Sequence, residues 1–320
     1  MKLLHVILTF WLVCILLPGN AIAGFEEGLA AYNKKDFAGA LREWKPLAKQ
    51  GHASAQINLG AMYENGQGVV QDAKEAVRLY RLAADQGIAL AQHNLGVMHD
   101  KGLGVAQDAK EAVRWYRLAA NQGDAVAQYD LGVAYDEGQG VGQDYKEALR
   151  WYRRSANQGF ASAQFNLGVM HSKGLGVAQD HKEALRWYLL AANQGEPKAQ
   201  SNLGSMYSVG KGVAQDTKEA LRWYRLAADQ GNKSAQTNLG VMYENGNGVP
   251  QSRVVAFAFY DLAATANPSS NNVATANRTN LAKSMSNQEI EAAQALSRTF
   301  AKAKNLLNAL DQYTNNSAVK

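Results

Sequence analysis

This 320-residue sequence predicts an all-α solenoid, a row of stacked helix-turn-helix units. Three observations carry that prediction. The pattern Ala-Gln-x-Asn-Leu-Gly begins at Ala55, Ala91, Ala127, Ala163, Ala199 and Ala235, with Asp130 once in place of Asn. Neighbouring copies are 36 residues apart, with no insertion or deletion. Between them recur a Gly-x-Gly turn and an Asp-x-Lys-Glu start signal, so each copy holds two helices.

The elements follow in order. Residues 1–23 read as a secretory signal peptide: Lys2, an apolar run from Leu3 to Leu17, the break Pro18-Gly19-Asn20, and an Ala21-Ile22-Ala23 cleavage site before Gly24. An uncleaved anchor is the alternative, but the run falls short of the roughly 20 residues that span a bilayer. Cys14 has no small residues before it, which is unlike a lipoprotein site. It is the only cysteine, so cleavage leaves no thiol and no disulfide. Loss of Lys2 lowers the formal charge from the +5 of the whole chain by one. No basic run tracks a phosphate backbone, which argues against a nucleic-acid partner.

Residues 24–50 form an N-terminal cap, with Phe25, Gly28 and Tyr32 on one helix and Ala40, Trp44 and Leu47 on the next. Residues 51–86 exemplify the repeat. Helix A, Ser54 to Asn65, returns Ala55, Leu59, Met62 and Tyr63 on one face. Gly66-Gln67-Gly68 ends it. Asp72 opens helix B, and Glu75 three residues on completes a capping-box pattern. Helix B buries Ala76, Leu79, Tyr80, Ala83 and Ala84. Later repeats carry Trp115-Tyr116, Trp151-Tyr152, Trp187-Tyr188 and Trp223-Tyr224 there. Their spacing assigns them to the core rather than to a carbohydrate-stacking platform. Gly60 and its five counterparts sit mid-helix, where glycine costs about 1 kcal/mol against alanine. That cost points to a close approach of helix A to helix B. In the sixth repeat Ser252, Val255 and Phe259 replace Asp, Glu and Trp, as a terminal unit requires. Residues 267–320 form a C-terminal cap of two helical patterns. The last is capped by Ser286 and Glu289, runs to about Gln312 and carries Ile290, Ala293, Leu296, Phe300 and Leu307; a frayed end begins at Asn315.

Ala-x-Ala-Gln-x-Asn-Leu-Gly, Met-Tyr-x-x-Gly-x-Gly-Val, Asp-x-Lys-Glu-Ala and Trp-Tyr-x-x-Ala-Ala together resemble the Sel1-like repeat, the longer relative of the tetratricopeptide repeat. The likeness covers residues 51–266 as six repeats. Residues 24–50 resemble an abbreviated tetratricopeptide-like unit. The resemblance implies a bacterial exported scaffold that acts in envelope assembly, receptor restraint or host interaction, with the periplasm as its expected compartment and secretion as the alternative.

Comparison of the six copies with one another locates a binding face. The positions of Ala55, Gln56, Asn58, Leu59, Gly60, Met62 and Tyr63 are held nearly constant, whereas those of Ser54, Ile57, Ala61, Glu64 and Asn65 vary. The variable set shares one side of helix A. Packing demands sameness at each repeat; a ligand surface does not. One column reads Ile57, His93, Tyr129, Phe165, Ser201, Thr237, and the next Ala61, Val97, Val133, Val169, Ser205, Val241. The resemblance to tetratricopeptide-like solenoids implies that this side lines the concave surface. Candidate contacts are Ile57, His93, Val97, Tyr129, Val133, Phe165 and Val169, rimmed by Asp100, Lys101, Asp136, Glu137 and Lys173. Apolar anchors within a charged rim suit a protein or extended peptide.

Signals for chemistry are weak. His93 and His99 lie six apart, the wrong spacing for two ligands on one helix, and His99 and His171 replace a packing tyrosine. No G-x-S-x-G is present, and no third glycine or Lys-hydroxyl pair marks a nucleotide loop. Ser208-Val209-Gly210-Lys211 fits the Ser-x-x-Lys of penicillin-binding enzymes. There the serine begins a helix, whereas Ser208 ends one, and no Lys-Thr-Gly follows. The β-lactamase-like relatives also carry cysteine pairs that are absent here. The sequence therefore predicts a non-catalytic binder with no cofactor, no metal and no membrane span after cleavage. A cell-wall enzyme and a glycan-binding module are the rival readings, and oligomeric state is not encoded legibly.

Overall fold

The computed structural model describes residues 19–265 and 273–318, and among them every regular element is a helix. The proposed signal peptide lies outside the described residues up to Pro18. The N-terminal cap is α1 (Gly19–Asn33) and α2 (Phe37–Lys49). The helix A elements are α3 (Ala53–Asn65), α5 (Ala89–Lys101), α7 (Ala125–Glu137), α9 (Ala161–Lys173), α11 (Pro197–Val209) and α13 (Lys233–Asn245). The helix B elements are α4 (Ala73–Ala84), α6 (Ala109–Asn121), α8 (Tyr145–Asn157), α10 (His181–Asn193), α12 (Thr217–Asp229) and α14 (Arg253–Thr265). The chain then continues into α15 (Val273–Ala282), α16 (Asn287–Lys302) and α17 (Leu306–Ala318).

The described residues form two compact units. The first holds those up to Ala134 with Gly138–Gly142; the second holds Tyr135–Glu137 and those from Gln143 onward. Within each unit helices joined by short connections pack against one another, save that α16 packs on α14 rather than on α15. In the first, Trp44 is sealed between α1 and α2, and its indole N–H donates to the Phe25 carbonyl at 3.2 Å. In the second, the Phe259 and Phe300 rings meet at a tilt with centroids 5.1 Å apart and join the sixth repeat to α16.

The mid-helix glycines have the packing reason expected of them. A Cβ on Gly60 would lie 2.8 Å from the Tyr80 ring, and one on Gly204 only 2.5 Å from Tyr224. The aromatic ring of helix B therefore rests on the bare backbone of helix A. Gly66 ends α3 with φ +68°, the left-handed conformation that glycine adopts without steric cost.

The invariant glutamine is a second tie. Gln56 Nε2 donates to the Ala48 carbonyl at 3.0 Å, across to the end of the preceding helix B. Gln86, after helix B, donates in turn to Gln56 Oε1 at 2.8 Å. The same pair of bonds recurs at Gln200, with Ala192 and Gln230. Each buried amide is thus satisfied while joining three elements.

Three expectations are corrected. Asp72 caps α4 as foreseen, accepting from the Lys74 and Glu75 N–H groups, but Glu75 does not return the bond. Its carboxylate takes a forked pair of bonds from Arg78, at 2.8 and 2.6 Å. A charged bidentate donor outcompetes one backbone N–H. The pairs Glu111–Arg114, Glu147–Arg150, Glu183–Arg186 and Glu219–Arg222 repeat this. Only the Ser286–Glu289 cap of α16 closes reciprocally among the described residues. The long last helix is also divided, into α16 and α17, with Ala303 in extended conformation. Asp229 of α12 accepts from the Leu306 N–H at 2.7 Å and founds a new helix N-terminus there. Arg225 clamps Asp311 of that helix. The end foreseen as frayed from Asn315 is helical to Ala318.

Candidate functional site

Helix A is held on one side by glycine, glutamine, leucine and methionine, so its variable positions occupy what remains. In the first unit His93, Val97, Asp100, Tyr129 and Val133 are half-buried and Lys101 is exposed. In the second, Asp136, Phe165 and Val169 are half-buried, while Glu137 and Lys173 are exposed. The column is therefore neither core nor free surface.

Ile57 is a correction. It is only 7% exposed and packs with Val77, Tyr80 and Leu95, so it belongs to the core of the first unit. Internal variation marks a helix face, but an isoleucine there can still sink between two repeats. Ser201, in the same column, is likewise buried.

The first unit adds a link that the column reading missed. His93 Nε2 lies 2.7 Å from Asp130 Oδ2, and its ring rests 5.7 Å from Tyr116. The carboxylate accepts, so it fixes Nε2 as the N–H donor. The signal was in the sequence: the single histidine of its column and the single aspartate replacing the constant asparagine lie one repeat apart. Asp130 also lines a cavity of about 60 Å³ with Asp100, Val133 and Tyr116. Burial first, then these two carboxylates, push the Tyr116 hydroxyl well above the ordinary tyrosine range.

In the second unit the Phe165 ring lies 5.9 Å from Tyr188, and the Lys198 ammonium lies 6.0 Å above it. Asp136, read as a rim charge, accepts from the buried Tyr152 hydroxyl at 3.2 Å. Glu244 does so from Tyr260 at 2.6 Å, and in the first unit Glu64 does so from Tyr80 at 2.7 Å. These acids at the end of helix A thus hold a tyrosine while keeping one oxygen edge toward solvent.

Reactive constellations are sparse. Among the described residues no three His, Cys, Asp or Glu side chains converge as a metal site. Ser208 falls in the last turn of α11, where its carbonyl accepts from Gln215, and Lys211 lies exposed in the following turn. Burial lowers the pKa of His99 and His171, and neither ring nitrogen of His171 has a partner. No helix of the described residues is long and apolar enough to cross a membrane. What the helix A side offers is aromatic rings, valines and anchored carboxylates.

The Sel1 repeat family profile matches six consecutive segments, residues 53–88, 89–124, 125–160, 161–196, 197–232 and 233–268. A Sel1 repeat protein from Oxalobacter formigenes is similar in structure, with TM-score 0.69 and 35% identity over 77% of this chain and 97% of its own. A protective antigen of uropathogenic Escherichia coli displaying an SLR fold is 27% identical, with TM-score 0.40, over 92% and 94%. Immunity protein Pa5087 from Pseudomonas aeruginosa is 23% identical, with TM-score 0.41, over 68% and 83%. No curated protein matches the chain.

Proposed function

Because the chain belongs to the Sel1 repeat family, whose members are generally non-catalytic scaffolds for protein interaction, we propose that it holds a protein or extended peptide on the varied side of its A helices. One observation carries this reading. Positions constant across the repeats are consumed by packing, as Gly60 and Gln56 show, whereas the varied ones present half-buried rings and valines beside charges. The first unit contributes His93, Val97, Tyr129 and Val133, with Asp100 and Lys101. The second contributes Phe165 and Val169, with Asp136, Glu137 and Lys173.

Aromatic anchors inside a polar rim carry most of the binding energy in such contacts. The double variant Tyr129→Ala, Phe165→Ala should therefore lose partner capture from an envelope extract. Phe165 also packs on Tyr188, so a variant that leaves the packing intact is needed beside it. Lys101→Glu with Lys173→Glu alters only exposed charges and serves as the second arm. Capture by both variants at the wild-type level would remove this reading.

Export through the N-terminal signal is part of the same proposal. Cleavage before Gly24 would remove the first five residues of α1 (Gly19–Ala23) and keep the buried Phe25 that packs with Trp44 in the cap. Periplasmic extracts should contain a chain beginning at Gly24, readable by mass spectrometry; an intact N-terminus in the cytoplasm would refute export.

A further inference from the structure

A cavity of about 740 Å³ opens in the first unit between α2 and α4, floored by α3. That volume lies within the roughly 300–1,000 Å³ typical of ligand sites. Its origin is visible when the first repeat is set against the second. Glu75, Arg78, Leu82 and Gln86 have the counterparts Glu111, Arg114, Leu118 and Gln122, unchanged in type. On α4 the lining residue that differs is Leu79, where the second repeat has Trp115.

Trp115 shows what this place is shaped to hold. The indole is 3% exposed, packs in one cluster with Val77, Tyr80 and Ala84, and lies 4.2 Å beneath the Arg114 guanidinium. Trp187 and Trp223 are covered the same way by Arg186 and Arg222, at 4.1 and 4.0 Å. The first repeat keeps the arginine and its carboxylate, Arg78 to Glu75 at 2.6 Å, but Leu79 puts no ring beneath them. The chain thus fills four such places with its own tryptophan and leaves this one open.

The rim is also more positive. Lys45 and Lys49, both exposed, line the cavity from α2. The next repeat keeps a cation, Arg81, at the position of Lys45 but has Asp85 at that of Lys49. Two lysines therefore flank an apolar floor of Ala48, Leu59 and Leu79. An arginine fork without its ring, an apolar floor and two free cations describe a complementary shape: an aromatic side chain between acidic neighbours.

We propose that this cavity binds a tryptophan carried on an acidic peptide segment of a partner protein. The ring lies against Leu79 under Arg78, and the flanking carboxylates lie on Lys45 and Lys49. The site shares no residue with the varied columns of helix A, so it stands or falls separately from them.

The test uses the purified protein and a fluorescein-labelled Glu-Asp-Trp-Asp-Glu peptide, followed by anisotropy. The wild type should bind it, and binding should weaken about tenfold or more when alanine replaces the peptide tryptophan, as loss of a buried aromatic anchor implies. Leu79→Trp restores the indole of the other repeats and should abolish binding while helicity and melting temperature are kept. Lys45→Glu with Lys49→Glu changes only exposed side chains and should also weaken binding, whatever the fate of the first variant. Absence of wild-type binding, equal binding of the alanine peptide, or unchanged binding by both variants would overturn the proposal. So would sedimentation showing that Leu79→Trp splits a dimer, since the occupant would then be a second copy of the chain.

Discussion

Two side chains show how a repeat absorbs polar groups. Gln56 gives its amide N–H to Ala48 and takes one from Gln86, so both ends of the buried amide have a partner and it can be tolerated in every copy. The histidines at the end of helix A are less well provided for. His99 and His171 stand where four other repeats have Tyr63, Tyr135, Tyr207 and Tyr243. Both are 6% exposed, and burial is the main force holding their pKa below the ordinary 6.5. At His99 the Glu111 carboxylate opposes that shift, while Arg81, 3.1 Å from Nε2, adds to it. A depressed folded-state pKa means that the unfolded chain takes up protons near pH 6.5 that the folded chain refuses. Stability is then complete above the unfolded value and is lost as pH falls from there to the lowered folded value, after which the loss is constant. The double variant His99→Tyr, His171→Tyr should accordingly lose less urea resistance than wild type between about pH 7 and about pH 5. Parallel losses in the two proteins would show that these rings do not set the acid response.

At the scale of elements, the capping box and the divided last helix were misread for one reason. Local sequence names a helix start, but a tertiary partner decides how that start is used. Glu75 fits a capping box by spacing, yet Arg78 on the same face takes its carboxylate. The apolar stripe from Ile290 to Leu307 continues through Ala303, and no glycine or proline there announces a break. What divides α16 from α17 is Asp229, far away in sequence, which accepts from the Leu306 N–H at 2.7 Å and from Leu307 at 3.4 Å. Asn305 adds a local cap by accepting from the Asn308 N–H at 2.7 Å. Asp229→Ala removes the distant half of this arrangement and should cost about 1 kcal/mol, the usual value of such a cap. Besides this cap, α17 is held by the Arg225–Asp311 ion pair and by the buried Leu306 and Leu310, and loss of the cap frees its first turn, so limited proteolysis should cut the variant near Ala303 to Asn305 faster than wild type. Cleavage at an unchanged rate would mean that packing of Leu306 and Leu310 alone keeps α17 docked.

Over the whole molecule, the repeat itself made most of the fold legible. A fixed period with glycine stops and aspartate starts names every helix from α3 to α13, and the Trp-Tyr pairs name the core. The candidate contacts were legible only in part. Helical spacing gives the side on which Ile57, His93, Tyr129 and Phe165 lie, but not how far each sinks. Ile57 is buried because the first interface closes over it, and His93 is tethered because Asp130 replaces asparagine one repeat later. Such contacts join residues about one period apart, beyond the reach of any window on a single helix. The same nearest-neighbour wiring decides how damage spreads. Trp223 is 3% exposed and packs with Tyr188, Ala192 and Leu203, all in the adjoining repeat or its own helix pair. Trp223→Ala should cost about 3–5 kcal/mol, as truncation of a buried aromatic does. In a stack whose stability is a sum of repeat and interface contributions, that cost falls first on the repeats touching the cavity. Hydrogen exchange should then accelerate in α10, α11 and α12 well before α3 and α4 respond. Uniform acceleration along all the described helices would instead show a single cooperative body, in which one lost indole loosens every interface at once.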